Sequence, residues 1–335
     1  MAALRPEDAM RSEADTKRPI ITHLTADNSW LIQLPRSSGD RMFFNIVLDP
    51  WLTTNQIEFA TWVHDQAHTE MCAAQSFADV ERFCGDVERL ARKFRSVEGE
   101  STKPTSYIDA VALSLAKTDH VHQETLLQLP PSVPIFCYGI GTASMVKSWK
   151  YFETVIATPD FIGNWEKTSI APLPKDIGIS AIQSRWDISG LHPAQIISWQ
   201  PPGSSQAECI MYTPHGILPT DISALVEAEP PVKVLALLHG CLRVGVGFRY
   251  FNTPANLGAR NGLEVSRLLK SQYWIHTHDE RKVEKGLTSW ILVHDWQKLD
   301  DVAEEYAKKI GEEKDAILKQ ANFHDLGNGG SLVLV

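Results

Sequence analysis

Apolar positions fall first into short runs of alternating or continuous hydrophobicity, and later into runs that alternate with stretches of helical spacing. Residues 20–24 and 29–34 read as strands joined by a turn at Asp27-Asn28, and residues 43–48 as a third strand delivering Asp49-Pro50-Trp51. Residues 80–94 carry apolar side chains at helical spacing with charges between them, and 99–106 form a polar loop. An apolar run ending at Ser114 follows, then a helix at 123–129, a strand at 133–138, a helix at 142–149 and a short strand at 154–157. Strands at 178–182, 195–199 and 208–212 have hairpin-like spacing, with a turn at 201–205. The second half adds a helix at 220–227, a strand at 232–238, a Gly-rich loop to 255, a helix at 257–270 and strands at 273–276 and 289–293. A long amphipathic helix over 300–320 closes the chain. This rhythm, twice over and without a short repeat, predicts two sheets sandwiched between helices. Residues 1–18 are polar and read as a disordered arm, leaving 19–335 as one domain.

Side chains with chemistry gather at predicted strand ends. The run ending at Ser114 leads to Asp119-His120-Val121-His122; the strand at 208–212 leads to Thr213-Pro214-His215-Gly216. The strand at 232–238 leads to His239-Gly240, and that at 273–276 to His278-Asp279. Carboxylates and imidazoles at the carboxyl ends of buried strands are where α/β proteins place their sites. The bland readings are helix caps for Asp119 and His120, a first-turn helix position for His122, and turn residues for His215 and His239.

The stretch from Ser114 to His120 resembles the Ser-His-x-His-x-Asp-His motif of the metallo-β-lactamase superfamily. Ser114, Asp119 and His120 match; Leu115 and Lys117 stand where the first two histidines belong. The opening is also similar: a first strand with Thr22-His23, a second strand, then a third ending in Asp-Pro-Trp-Leu over 49–52, as in lactonase-like and N-acylphosphatidylethanolamine phospholipase-like members. The resemblance implies a four-layer αββα fold and a hydrolase. Asp119, His120 and His278 would then hold one zinc or other divalent ion with a position left for water, whose pKa such an ion lowers to roughly 7. His122 or His215 would complete the shell or act as general base. The Lys117 ammonium would fill the missing first ion's pocket and supply positive charge toward a substrate oxygen. The implied reaction is attack of a metal-bound water on an ester, lactone, lactam or phosphodiester of a small molecule.

Two other readings compete. One is the same scaffold without metal, acting as a binding protein. The other is a nucleotide-dependent enzyme using Gly139-Ile-Gly-Thr-Ala-Ser144 with Asp160 at a distance suited to a ribose; a tight strand-to-helix turn would explain both glycines equally. His64-Asp-Gln-Ala-His68 puts two imidazoles on one helical face, as in zincins, but has Asp where the general base belongs, which favours a solvated face. Residues 240–262 mix glycines with Arg243, Arg249, Tyr250, Phe251 and Arg260, suiting either a mobile loop over a pocket or a surface loop packed on the core.

Composition narrows the partners. A net charge of −9 with dispersed basic residues argues against nucleic acid, and no apolar run has transmembrane length. Five cysteines without CxxC spacing point to buried thiols in a reducing compartment, and the cytosol is the expected address.

Overall fold

Strand periodicity decides the layers. In the computed structural model, which describes residues 3–97, 104–184, 187, 189–248 and 251–335, alternate side chains of each central strand enter different cores. Ile21, Ile46, Leu48, Ala110 and Ala112 face the space between two sheets, while Ile20, Val47, Val111 and Leu113 face a helical layer. The second sheet does the same: Ile197 and Ile210 point inward, and Ile196, Cys209 and Met211 point to the helices outside. Burying one such aliphatic side chain stabilises by about 1.5–3 kcal/mol, so a one-residue slip of any central strand would be prohibitive.

The first sheet runs Ser331–Val333, Ile20–His23, Trp30–Pro35, Phe43–Leu48, Ala110–Leu113, Ile135–Cys137, Val155–Ala157. The second runs Phe323–His324, Tyr273–Ile275, Val232–His239, Ala207–Thr213, Ala194–Trp199, Ile177–Ile182. With helices on both outer faces this is the αββα sandwich. On the first sheet the helix Phe77–Phe94 begins where Ser76 accepts from the Asp79 amide, and buries Val80, Phe83, Cys84, Val87 and Ala91 at helical spacing. On the second, Gly258–Leu269 lies so close that a Cβ at Gly262 would stand 2.4 Å from the Trp274 ring; only glycine allows that approach.

Several expectations need correction. Residues 3–18 do not trail as an arm: Pro6–Ala9 and Ala14–Lys17 are helical turns, Ala9 and Met10 enter the first core, and Arg18 pairs with Glu208 at 2.9 Å. The C-terminal helix is two, Leu299–Ile310 and Lys314–Ala321, broken at Gly311 in the left-handed region (φ +75°). Beyond it the chain adds an edge strand to each sheet. The Gly-rich loop is largely a β-hairpin, Leu242–Phe248 with Phe251–Leu257, extended by Leu292–Trp296. Arg249 and Tyr250, and part of the polar loop at 99–106, lie outside the described residues. His64–Ala67 is a strand, not a helix, in a small sheet with Gln56–Glu58 and Val283–Lys285. No helix among the described residues is long and apolar enough to cross a membrane.

Candidate metal centre

The parallel strands set the site. Phe43–Leu48 runs parallel to Ala110–Leu113, and Ala207–Thr213, Val232–His239 and Tyr273–Ile275 are parallel to one another. Their carboxyl ends carry Asp49, the Asp119-His120 loop, His215, His239 and His278. A helical turn, with the His120 and Val121 amides donating to the Lys117 carbonyl, presents His120.

Three of these imidazoles meet. His120, His215 and His278 are buried or nearly so, and each offers a ring nitrogen within 4.8 Å of the others'. His120 Nε2 lies 3.1 Å from His215 Nε2. Asp119 Oδ2 stands 3.7 Å from His120 Nε2 and 3.9 Å from His278 Nε2. Donors around a tetrahedral zinc with bonds near 2.05 Å are separated by about 3.3 Å, and these separations straddle that value.

The far nitrogens explain the orientation. His120 Nδ1 is 2.6 Å from Asp49 Oδ2. His278 Nδ1 is 3.0 Å from Asp27 Oδ2, and His215 Nδ1 is 2.8 Å from Asn256 Oδ1 and 3.2 Å from the Ala255 carbonyl. Each Nδ1 therefore carries the proton and donates it outward, which leaves an Nε2 lone pair pointing in. Three converging lone pairs are unfavourable unless a cation or a shared proton lies among them, so the donor set fits a divalent ion. Asp49 is itself fixed: it accepts from the Ser114 amide at 2.7 Å and from the Ser114 hydroxyl. Asp49 (φ +40°) and His278 (φ +60°) both hold left-handed backbone, strain that clusters where a side chain must be aimed.

Electrostatics separate the members. Burial works against charge on His120, but the carboxylates of Asp119 and Asp49 outweigh it and raise its pKa. Burial, with His278 and His120 beside it, pushes His215 well below the usual imidazole range. Burial alone would raise Asp119; the imidazoles of His120 and His278, and Lys282, hold its carboxyl far below the ordinary range instead.

Of the residues picked out in the sequence, Asp119, His120, His215 and His278 come together and His122 does not. His122 caps the helix Gln123–Leu126, accepting from the Thr125 amide, and its Nε2 faces Thr54 Oγ1 at 3.4 Å. Lys117 lies on the cavity wall, 3.3 Å from Glu58 Oε1; the lysine whose charge reaches Asp119 is Lys282, half-buried and 2.9 Å from Asp27. Leu115 is buried. His239 is satisfied by the Gly240 carbonyl and Asn261. At the glycine motif, Gly139 needs its positive φ (+67°), but a Cβ at Gly141 would meet open space, and Asp160 binds Gln183 at 3.0 Å. The sequence reading missed Asp27, Asn256 and Lys282, and took Asp49 only as a mark of kinship. The one signal for Asp49 was an acidic residue at the end of a strand apolar but for Asn45.

No protein-family model matches the sequence, and no curated protein matches it. Solved structures do. An isothiocyanate hydrolase from Delia radicum gut bacteria aligns over 94% of this chain and 99% of its own, with 10% identity and a TM-score of 0.53. A possible metal-dependent hydrolase from Veillonella parvula aligns over 95% and 100%, with 11% identity and a TM-score of 0.55. The metallo-β-lactamase-fold protein YhfI of Bacillus subtilis covers 94% and 99% at 12% identity and a TM-score of 0.47. The chain has the metallo-β-lactamase fold.

Proposed function

We propose that this protein is a metal-dependent hydrolase of a small molecule, using one divalent ion held by His120, His215 and His278, with Asp119 beside it. The observation that carries the reading is the set of three Nε2 lone pairs, each aimed by an acceptor on the opposite nitrogen. Two neighbours of TM-score above 0.5 are named as hydrolases, one of them as a possible metal-dependent hydrolase, which agrees with it. Zinc, one of the ions that imidazole ligands suit, would supply Lewis acidity and a water acidic enough to be deprotonated near neutral pH.

The chain's own groups do the rest. Asp119 Oδ2, within 4 Å of two ligand nitrogens, would orient a water by accepting a hydrogen bond from it. Asp27 holds His278, and Lys282 neutralises Asp27 from behind. Lys117 stands on the cavity wall, where its ammonium reaches a substrate oxygen only by leaving Glu58.

The 3.1 Å approach of His120 to His215 also suits a shared proton, which is what a metal-free binding protein of this fold would hold there. Metal analysis of protein purified without chelator distinguishes the two. One equivalent per chain, lost in His215→Ala, is the expected result. Two equivalents would refute the mononuclear site, and none would leave the metal-free reading.

A further inference from the structure

In front of the histidines lies a cavity of about 260 Å³, at or below the lower end for drug-sized ligands. Its walls come from the inserted segments rather than from the sandwich. Leu191, Leu242, Val244, Val246, Ile291 and Leu292 make one side apolar. The apolar surface continues to the mouth, where Phe59, Val246 and Ile291 are 88%, 40% and 38% exposed.

The charged lining is internally settled. Lys117 pairs with Glu58 at 3.3 Å, Lys282 with Asp27 at 2.9 Å, and His294 with Glu284 at 3.3 Å. Glu280 is taken by His68 and by the Thr69 and Glu70 amides. The lining holds four carboxylates (Glu58, Asp119, Glu280, Glu284) against two ammonium groups, and a bound divalent ion would bring it to formal neutrality. Among the described residues lining it, no lysine or arginine is left unpaired to receive a phosphate or carboxylate.

We infer that the substrate is an uncharged molecule with a small apolar body, bearing its electrophilic carbon at the end nearest the histidines. This rests on the hydrolase reading and narrows it: esters, lactones and related neutral acyl compounds fit, and phosphodiesters do not. On the protein side an anion meets no free ammonium and must enter past carboxylates, whereas a neutral chain needs only the apolar wall.

The test reads binding rather than turnover. Hexanamide, butanamide, hexanoate and hexyl phosphate are titrated by calorimetry into the full-length chain as purified without chelator. Hexanamide is expected to bind at least tenfold tighter than either anion, and butanamide more weakly than hexanamide by about fourfold per methylene lost. Ile291→Asp and Val246→Asp, at partly exposed positions, should each weaken hexanamide about tenfold while leaving metal content unchanged. Equal or tighter binding of an anion, no dependence on chain length, or no binding by any probe would overturn the inference. Failure of the hydrolase reading shows separately, as a chain that prefers hexanamide but takes up no metal.

Discussion

Two groups of metal-type side chains lie close together in this fold, and their hydrogen bonds set them apart. His120, His215 and His278 spend each Nδ1 on an outward acceptor and keep each Nε2 free to face the others. Cys241, His276 and Asp279 are equally near one another, yet both ring nitrogens of His276 and one oxygen of Asp279 are already spent, leaving Asp279 Oδ1 as the cluster's one unpartnered oxygen among the described residues. One oxygen of Asp279 accepts from the Leu242 amide at 2.9 Å, from the Cys241 amide and from His276 Nε2, while His276 Nδ1 faces Asp325 at 3.7 Å. Burial and the Asp279 carboxylate push the Cys241 thiol up, against thiolate formation. What distinguishes the first group is three spare lone pairs aimed at one point, where the second keeps one spare carboxylate oxygen.

The largest effects should follow from removing those lone pairs. His120→Ala or His215→Ala is expected to weaken metal binding at least a hundredfold and to abolish hydrolysis, read by metal content and turnover of a neutral ester. Retained stoichiometry in both would mean that the converging nitrogens are not the ligands. Next comes Asp49→Asn, which keeps shape but turns an anionic acceptor into a neutral one. Loss of such a partner costs about 10–100-fold in metal affinity or activity. Competition with a chelator of known affinity measures it, and an unchanged affinity would show that the ring needs no carboxylate behind it.

The converging histidines were legible in the sequence, His215 only as a second choice, and their supports were not, for a physical reason. His120, His215 and His278 follow apolar runs whose period marks them as strands, so their arrival at one edge follows from the parallel topology. Asp49 and Asp27 act on histidines 71 and 251 residues away, and nothing local tells a buried acceptor from a turn residue. The hairpin at 242–257 was hidden similarly. Gly245 reads as loop, but a Cβ there would stand 2.0 Å from the Asn252 side chain, so glycine marks a close strand contact. The third strand of that sheet, Leu292–Trp296, begins 35 residues after the hairpin ends at Leu257, beyond any local pattern. His64–Ala67 was misread because charged and polar residues at i, i+4 share a face in a strand as well as in a helix.

His68 sharpens the comparison from another side. Its Nδ1 lies 2.5 Å from Glu280 Oε2 and its Nε2 3.0 Å from the Trp51 carbonyl. Both nitrogens face acceptors, so the ring is a charged double donor with no lone pair to give. Burial alone would lower its pKa; hydrogen bonds to Cys72 and Glu280 outweigh that and lift it to about 10. A raised folded pKa means that the stabilisation is complete below the unfolded value near 6.5 and is lost as pH climbs through about 10. The unfolding free energy of the parent should therefore fall by on the order of 5 kcal/mol across that window, and His68→Gln should lack this slope. Parallel denaturation curves for the two proteins from pH 6 to 10 would contradict the charged ring.

The smallest expected effect is the most direct challenge to the contrast. Cys241→Ser removes the one soft ligand of the second cluster while leaving the backbone amide that Asp279 accepts. If that cluster is only a clamp, metal stoichiometry and affinity stay at the parent's values and stability shifts by less than about 1 kcal/mol. A real second site would behave otherwise: the parent would hold a second equivalent, and the variant would lose it while keeping the first, because His278 is held by Asp27 rather than by Asp279. Loss of both equivalents together would show that the two clusters are coupled through the 276–279 turn, and lone-pair accounting would then have drawn the boundary in the wrong place.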